Sequence, residues 1–249
     1  MPFLTDDGRP LDELLLAERP ADGYRFELRA PIVYLDPVSG RRYRVPARAE
    51  ASGAHAVTDL ASVPTPLWGF IASYGRQSAP AVLHDEQSIA AAELGDRAAA
   101  LAQRREDDRV FRTALREQRV PLLRAWLMWA WVSADRERVY GGLLGWLLVV
   151  QSVVGALVVL AASVAAFWNP AWLALVLVPA LAAVPWARLA PLQLLLTFSL
   201  AVVGPLFLVH VAALVPFRLL EALVELVSGG DPAGVLRPTV RPPGGPVVE

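Results

Sequence analysis

The segment AVLHDEQS, Ala81–Ser88, sets a histidine beside an aspartate within an otherwise apolar helical pattern. Imidazole is the side chain best suited to moving protons near neutral pH, provided a carboxylate holds its tautomer and orientation. Asp85 lies about 100° around the helix from His84 and points elsewhere. Its chemistry would be to bind a cation or polarise a water. The carboxylate that orients His84 must come from another element.

The surrounding pattern supplies one. Pro80 suits the first turn of a helix over about residues 80–94, and Gly95-Asp96 reads as a stop followed by a new N-cap. A second helix then runs over about 97–118. In an antiparallel hairpin, residues equidistant from the turn lie side by side, and positions 84 and 108 are each twelve residues from Asp96. Helix axes pack about 8–10 Å apart, within reach of a histidine–carboxylate hydrogen bond. Asp108 shares a stripe with Leu101, Phe111 and Leu115, so it faces the core, where a carboxylate must be paired or change its pKa. Ala81, Ser88 and Ala91 flank His84 and admit close approach. These residues fit a His84 general base oriented by Asp108. They equally fit a buried polar tie that fixes the hairpin register.

The chain that positions them is divided in two. It has 249 residues, a net charge of −1 and 55 % hydrophobic residues, and between Val139 and Phe217 the only formally charged side chain is Arg188. That split predicts a soluble domain followed by a membrane domain. The absence of cysteine excludes disulfides and thiolate chemistry, so a metal site would use histidine and carboxylates. The near-zero net charge offers no basic footprint for nucleic acid. The start, MPFLTDDGRP, is acidic and lacks the pattern of a signal peptide.

Gly142–Phe167 is a clear span of 26 residues, roughly 39 Å as a helix. A second apolar run, Ala171–Trp186, is short and carries Pro179 and Pro185; a third, Leu192–Val215, carries Pro205 and His210. Three spans are expected, the rival being two with the middle run re-entrant. Arg136, Arg138 and Arg188 place the N-terminal domain in the cytosol. His210, in an apolar span, is either a site or a neutral imidazole bonded to a neighbouring helix or near the interface.

Before the helices, YRFEL, IVYL and RRYRV read as strands of one small antiparallel sheet, with a turn at Asp36–Gly40. The fold class expected is therefore an α+β soluble domain, a small antiparallel sheet plus an antiparallel helix hairpin, followed by an α-helical membrane domain. The division is an N-terminal segment 1–23, the soluble domain 24–138, the membrane domain 139–216, an interfacial helix 217–230 and a disordered tail 231–249. Trp126, Trp129 and Trp131 fit packing or an interface better than ligand binding.

The order of motifs resembles an uncharacterised bacterial and phage family of small proteins. The shared residues are Val45-Pro46, TDLASVP (Thr58–Pro64), Trp68, Tyr74-Gly75, AVLHD (Ala81–Asp85) and DRVF (Asp108–Phe111), over about residues 24–134. This chain has a longer insert before Thr58 and Ser88 where the family has a tyrosine. The helix pair is also similar in geometry to that of calcium-dependent secreted phospholipases, without their disulfides or Gly-rich loop. That similarity implies His84 as base, Asp108 as orienting carboxylate and Asp85 as a calcium ligand, with Asp59 as a second oxygen ligand. Asp59 reads equally as an Asx-turn residue, and Ser62, with no flanking glycines, as a loop hydroxyl rather than a nucleophile.

Two functions follow. One is a hydrolase on the cytosolic face of a bacterial inner membrane, acting on a lipid or membrane-proximal ester or amide. The other is a non-catalytic interaction or assembly module tethered to the bilayer.

Overall fold

The computed structural model describes residues 2–19, 25–60, 71–72 and 74–236. It is an α+β domain followed by a layer of long apolar helices. Six short strands come first: β1 (Phe3–Leu4), β2 (Leu16–Glu18), β3 (Phe26–Leu28), β4 (Ile32–Leu35), β5 (Arg42–Val45) and β6 (Val57–Thr58). They form two antiparallel three-stranded sheets, in orders β1-β4-β5 and β2-β3-β6, and not the single sheet expected. The break falls between β3 and β4, where Pro31 has no N–H to give to a ladder. The N-terminal segment, expected to hold turns and an apolar cluster, supplies β1 and β2 and so completes both sheets.

The hairpin that carries the motif consists of α1 (Ser78–Ala92) and α2 (Arg97–Glu117). Gly95 takes a positive φ of 68°, which ends the first helix cheaply only because glycine has no Cβ. The Asp96 carboxylate accepts from the N–H of Ala98 at 2.7 Å and so caps the second. Val82 and Leu83 of α1 and Val110 and Ala114 of α2 share one core with Phe3, Ile32, Tyr34 and Val45 of the sheets. Two polar ties reinforce it: Tyr34 donates to Glu117 at 2.6 Å, and Arg109 reaches Asp36, in the β4–β5 turn, at 2.6 Å. Burial alone would raise the Asp36 pKa; Arg109 and the Ser39 hydrogen bonds instead hold it far below the usual range.

Next, α3 (Leu122–Tyr140) packs on α2 through Phe111, Leu115, Ala125 and Met128. Arg112 of α2 lies over the Trp126 ring, 4.0 Å from its centroid, and 5.0 Å from that of Trp129, so these tryptophans pack as expected. Ala130 of α3 joins Leu148, Leu192 and Leu196, which link the domain to the apolar helices α4 (Gly142–Ala165) and α6 (Ala190–Ser228).

Among the described residues, two helices are long and apolar enough to cross a membrane, where three spans are expected from the sequence. The expected middle span is broken into two 3₁₀ segments, Pro170–Val176 and Val184–Leu189, around α5 (Leu177–Ala182). Pro179, Pro185 and the positive φ of Ala187 prevent a regular helix there. The segment nevertheless retraces α4. Ser152 meets Gln193, and Gly155 meets Thr197, so partner numbers rise together and α4 and α6 run parallel. Pro179 contacts Gly155, whereas Ala182 and Trp186 both bond Gln151, so numbers there run in opposite directions and the connection is antiparallel to α4.

The separate interfacial helix expected at 217–230 is instead the end of α6, which continues through Pro216 and stops at Gly229, where φ is +80°. Of the expected disordered tail, Pro232–Leu236 forms one short helix, α7, and residues 237–249 lie outside the described residues, as do Ser62 and Trp68. His210 is half-buried on α6 with no hydrogen-bond partner among the described residues.

The α4–α6 contact yields a packing prediction. A Cβ at Gly155 would stand 2.9 Å from Thr197 Cγ2 and 3.0 Å from Pro179 Cβ. Gly155→Val should therefore destabilise the helix layer by about 1–3 kcal/mol. A thermal melt of the full chain in nanodiscs checks it; an unchanged midpoint removes this close approach from the fold.

Candidate functional site

The site is built from the hairpin outward. The structure brings His84 and Asp108 together: His84 Nε2 lies 2.9 Å from Asp108 Oδ1. Both are buried, Asp108 completely. The imidazole also packs on Phe111, with ring centroids 4.8 Å apart, which fixes the ring plane. Burial lowers the His84 pKa, against the Asp108 hydrogen bond, which raises it; the ring is neutral near pH 7. A neutral ring donating from Nε2 to a carboxylate keeps its lone pair on Nδ1. That nitrogen bonds no described residue.

Asp108 has two further donors from α3. Ser133 Oγ donates to Oδ2 at 3.0 Å, and Arg136 Nη1 makes a short charged contact with the same oxygen. Arg136 continues to Glu137 through two bonds, the shorter 2.9 Å. Burial acts to raise the Asp108 pKa, but the His84 bond and the charges of Arg136 and Arg104 bring it below the ordinary carboxylate value. Asp108 is thus an anion that touches His84 with one oxygen and α3 with the other.

Asp85 points away from this dyad, as helix geometry requires. It takes a hydrogen bond from the Thr58 hydroxyl at the end of β6. Burial pushes its carboxyl up to about 8; the nearby Asp59 charge adds to the rise and Thr58 partly offsets it. Asp59 therefore stands close enough to Asp85 to be felt. Among the described residues, no group of three or more His, Cys, Asp or Glu side chains converges as a metal site would require. The carboxylates expected to hold calcium are two.

A cavity of about 1350 Å³ joins these groups to the apolar helices. His84, Asp85 and Arg104 border its polar end, and Trp131 of α3 and Phe198 and Phe207 of α6 belong to its apolar walls.

Residues 26–132 match a family described as Protein of unknown function (DUF1353). Those residues, less than half of the chain, are thus similar to that family's domain. Comparison with curated proteins and with solved structures gave no match. The DUF1353 segment contains His84, Asp85 and Asp108 but stops one residue short of Ser133, so the second half of the Asp108 network lies beyond it.

Arg136, Ser133 and Arg104 were not expected in the site. Arg136 sits in the run ADRER, which reads as a charged flank of the first span. The available signal was its spacing of three from Ser133, which puts both on one helix face. His55 was also missed: Glu86 of α1 and Glu93, just past its end, hold its Nδ1 at 2.8 Å and its Nε2 at 2.9 Å. Hydrogen bonds to Glu86 and Glu93 raise its pKa against burial, and the clamp fastens the chain entering β6, hence Thr58 and Asp59, onto α1.

The Asp85 environment sets a pH dependence. A carboxyl whose folded pKa is raised binds its proton more tightly folded than unfolded, so its contribution to stability falls as pH rises from about 4 to about 8. Asp85→Asn removes that loss. Relative to wild type the variant should gain stability steadily across this window, by about 1–3 kcal/mol at pH 9. Chemical denaturation at pH 5, 7 and 9 measures it; a constant difference between the two proteins would show Asp85 to be solvated.

Proposed function

We propose that this is a membrane-anchored hydrolase that cleaves an ester or amide bond in a lipid or other membrane-proximal amphiphile, with His84 as general base. One observation carries the reading: an imidazole held by a buried carboxylate borders a cavity whose opposite wall is a helix of membrane-spanning length. In the reaction, a water at Nδ1 gives its proton to His84 as its oxygen adds to the carbonyl carbon. The tetrahedral adduct then breaks its bond to the leaving oxygen or nitrogen, which takes that proton back. One water is consumed; a carboxylic acid and an alcohol or amine are released. Asp108 keeps Nε2 protonated and stabilises the imidazolium formed on the way.

Asp85 and Asp59 are the proposed oxygen ligands of a calcium ion, which would supply charge stabilisation and relieve their mutual repulsion. The proposed setting is the inner membrane, with the DUF1353 domain in the cytosol beside Arg138 and Arg188. The parallel run of α4 and α6, with the connection retracing α4, supports three crossings.

The sharpest test replaces the base and keeps the tie. His84→Gln retains an amide N–H for Asp108 but has no proton-accepting nitrogen. Full-length protein in nanodiscs should hydrolyse long-chain esters, and the variant should lose about 100-fold or more of that rate with its melting temperature nearly unchanged. Equal rates in the two proteins would end the proposal.

The saturation of Asp108 by Ser133 and Arg136 favours a second reading, a non-catalytic tethered module in which the cluster ties three helices. Under it, wild type hydrolyses nothing in panels of lipids, peptidoglycan and simple esters. Under either reading Asp108→Asn leaves Arg136 facing a neutral amide and should cost about 3–5 kcal/mol of stability by denaturant titration.

A further inference from the structure

Arg104 lies on α2, one turn before Asp108 and bordering the same cavity as His84. It is 95 % buried, with 5 % relative exposure, and its Nε has no hydrogen-bond partner. Its guanidinium makes no hydrogen bond or ion pair with any described residue. The neighbouring acids have other partners. Asp108 is matched by His84 and Arg136, Asp85 takes the Thr58 hydroxyl, and Asp107 takes Gln103 at 2.7 Å on Oδ1, its Oδ2 having no hydrogen-bond partner. Burial pushes Asp107 up to about 7, so it too resists ionising beside Arg104. A buried guanidinium without a contacting anion is costly unless something brings one. Guanidinium geometry suits a two-oxygen anion, carboxylate or phosphate, bound side on. Phe111, Leu127, Trp131 and Phe198 are among the apolar side chains that make up most of the remaining wall, which also carries Arg124 and Asp135, with about 1350 Å³ to fill.

We propose that the cavity binds an anionic amphiphile, with its carboxylate or phosphate head on Arg104 and its hydrocarbon chain between α3 and α6. This names the ligand class of the site described above. It rests on the hydrolase reading only for the claim that such a ligand is turned over; a fatty-acid product and an anionic lipid substrate share this chemistry. His84 and Arg104 border one space, so an anchored head group places the linkage next to it near Nδ1.

The experiment measures binding, separately from turnover, by isothermal titration calorimetry of the full chain in zwitterionic nanodiscs, with empty nanodiscs subtracted. The probes are dodecyl phosphate, dodecanoate, dodecanol and inorganic phosphate. Wild type should bind the two anionic amphiphiles about 10- to 100-fold more tightly than dodecanol, the range of one charge-assisted hydrogen-bonded pair. Inorganic phosphate should bind too weakly to measure, because it leaves the apolar walls unfilled. Arg104→Met should abolish the preference for the anion while leaving dodecanol binding in place; it removes no hydrogen bond, but it takes away one of the charges that hold Asp108 ionised, so a modest fall in melting temperature is expected. Arg104→Lys keeps the charge and loses the side-on geometry, so it should retain part of the preference; this variant carries the test if Arg104→Met does not fold. Equal binding of dodecanol and dodecyl phosphate by wild type, or an undiminished preference in Arg104→Met, overturns the proposal. Tight binding of inorganic phosphate alone replaces it with a simple anion site. His84→Gln separates the two ideas: failure of that variant to lose hydrolysis sinks the hydrolase and leaves anion binding by Arg104 standing.

Discussion

The buried Asp108 carboxylate constrains everything around it. A charge with no exposure to water survives only if its oxygens are filled, and three residues from two other helices fill them: His84 from α1, then Ser133 and Arg136 from α3. Removing any donor leaves a desolvated negative charge short of a partner. The hairpin register, the position of α3 and the tautomer of His84 are therefore settled by one carboxylate. This explains how an imidazole beside a cavity can be held in one tautomer, although the strands of this domain are only two to four residues long and contribute little rigidity of their own.

The same constraint couples the soluble and apolar halves. Ser133 and Arg136 lie on the face of α3 that meets α2, while Ala130 of the same helix packs on Leu148 of α4 and Leu192 of α6. α3 thus carries the polar network on one side and the helix layer on another. A shift of α4 or α6 against the domain would act on α3 and so on the donors of Asp108. The cavity is the space that this arrangement leaves between α3 and α6, with His84, Asp85 and Arg104 brought to it by α1 and α2.

Much of the site was legible before the structure, for a simple reason. Helical periodicity and a Gly-Asp stop are strong local signals, and a hairpin with a known turn has only one register, so positions 84 and 108 could be paired by counting. What failed to show was whatever depended on contacts across long separations. The sheet pairing was misread because β1 and β2 are two- and three-residue strands without alternation of their own, recruited by β4 and β3. Arg136 was read as a flank of a membrane span because arginines next to apolar runs usually are; only the location of Asp108, 28 residues earlier, makes it a buried partner. The middle apolar run, short and carrying Pro179 and Pro185, left a third span and a re-entrant segment both open, because hydropathy does not say where the backbone hydrogen bonds break.

Arg104 is the residue where local and global signals part most clearly. In the sequence it is one of a pair of arginines in RREDDR, a composition that ordinarily marks a solvated helix face. In the fold that run is split by the helical period: Arg105 faces outward to Glu137, at 3.5 Å, while Arg104, Asp107 and Asp108 turn inward. Three charged side chains on the inner face of a 21-residue helix is more than packing needs. Asp108 is used up in holding three helices together, and burial keeps Asp107 near neutrality. The Arg104 guanidinium, whose Nε is buried without a hydrogen-bond partner, has no such tie. A guanidinium that feels these carboxylates only at a distance and hydrogen-bonds to none of them is the part of this interior that internal packing does not account for, and it borders a cavity large enough to bring it an external anion.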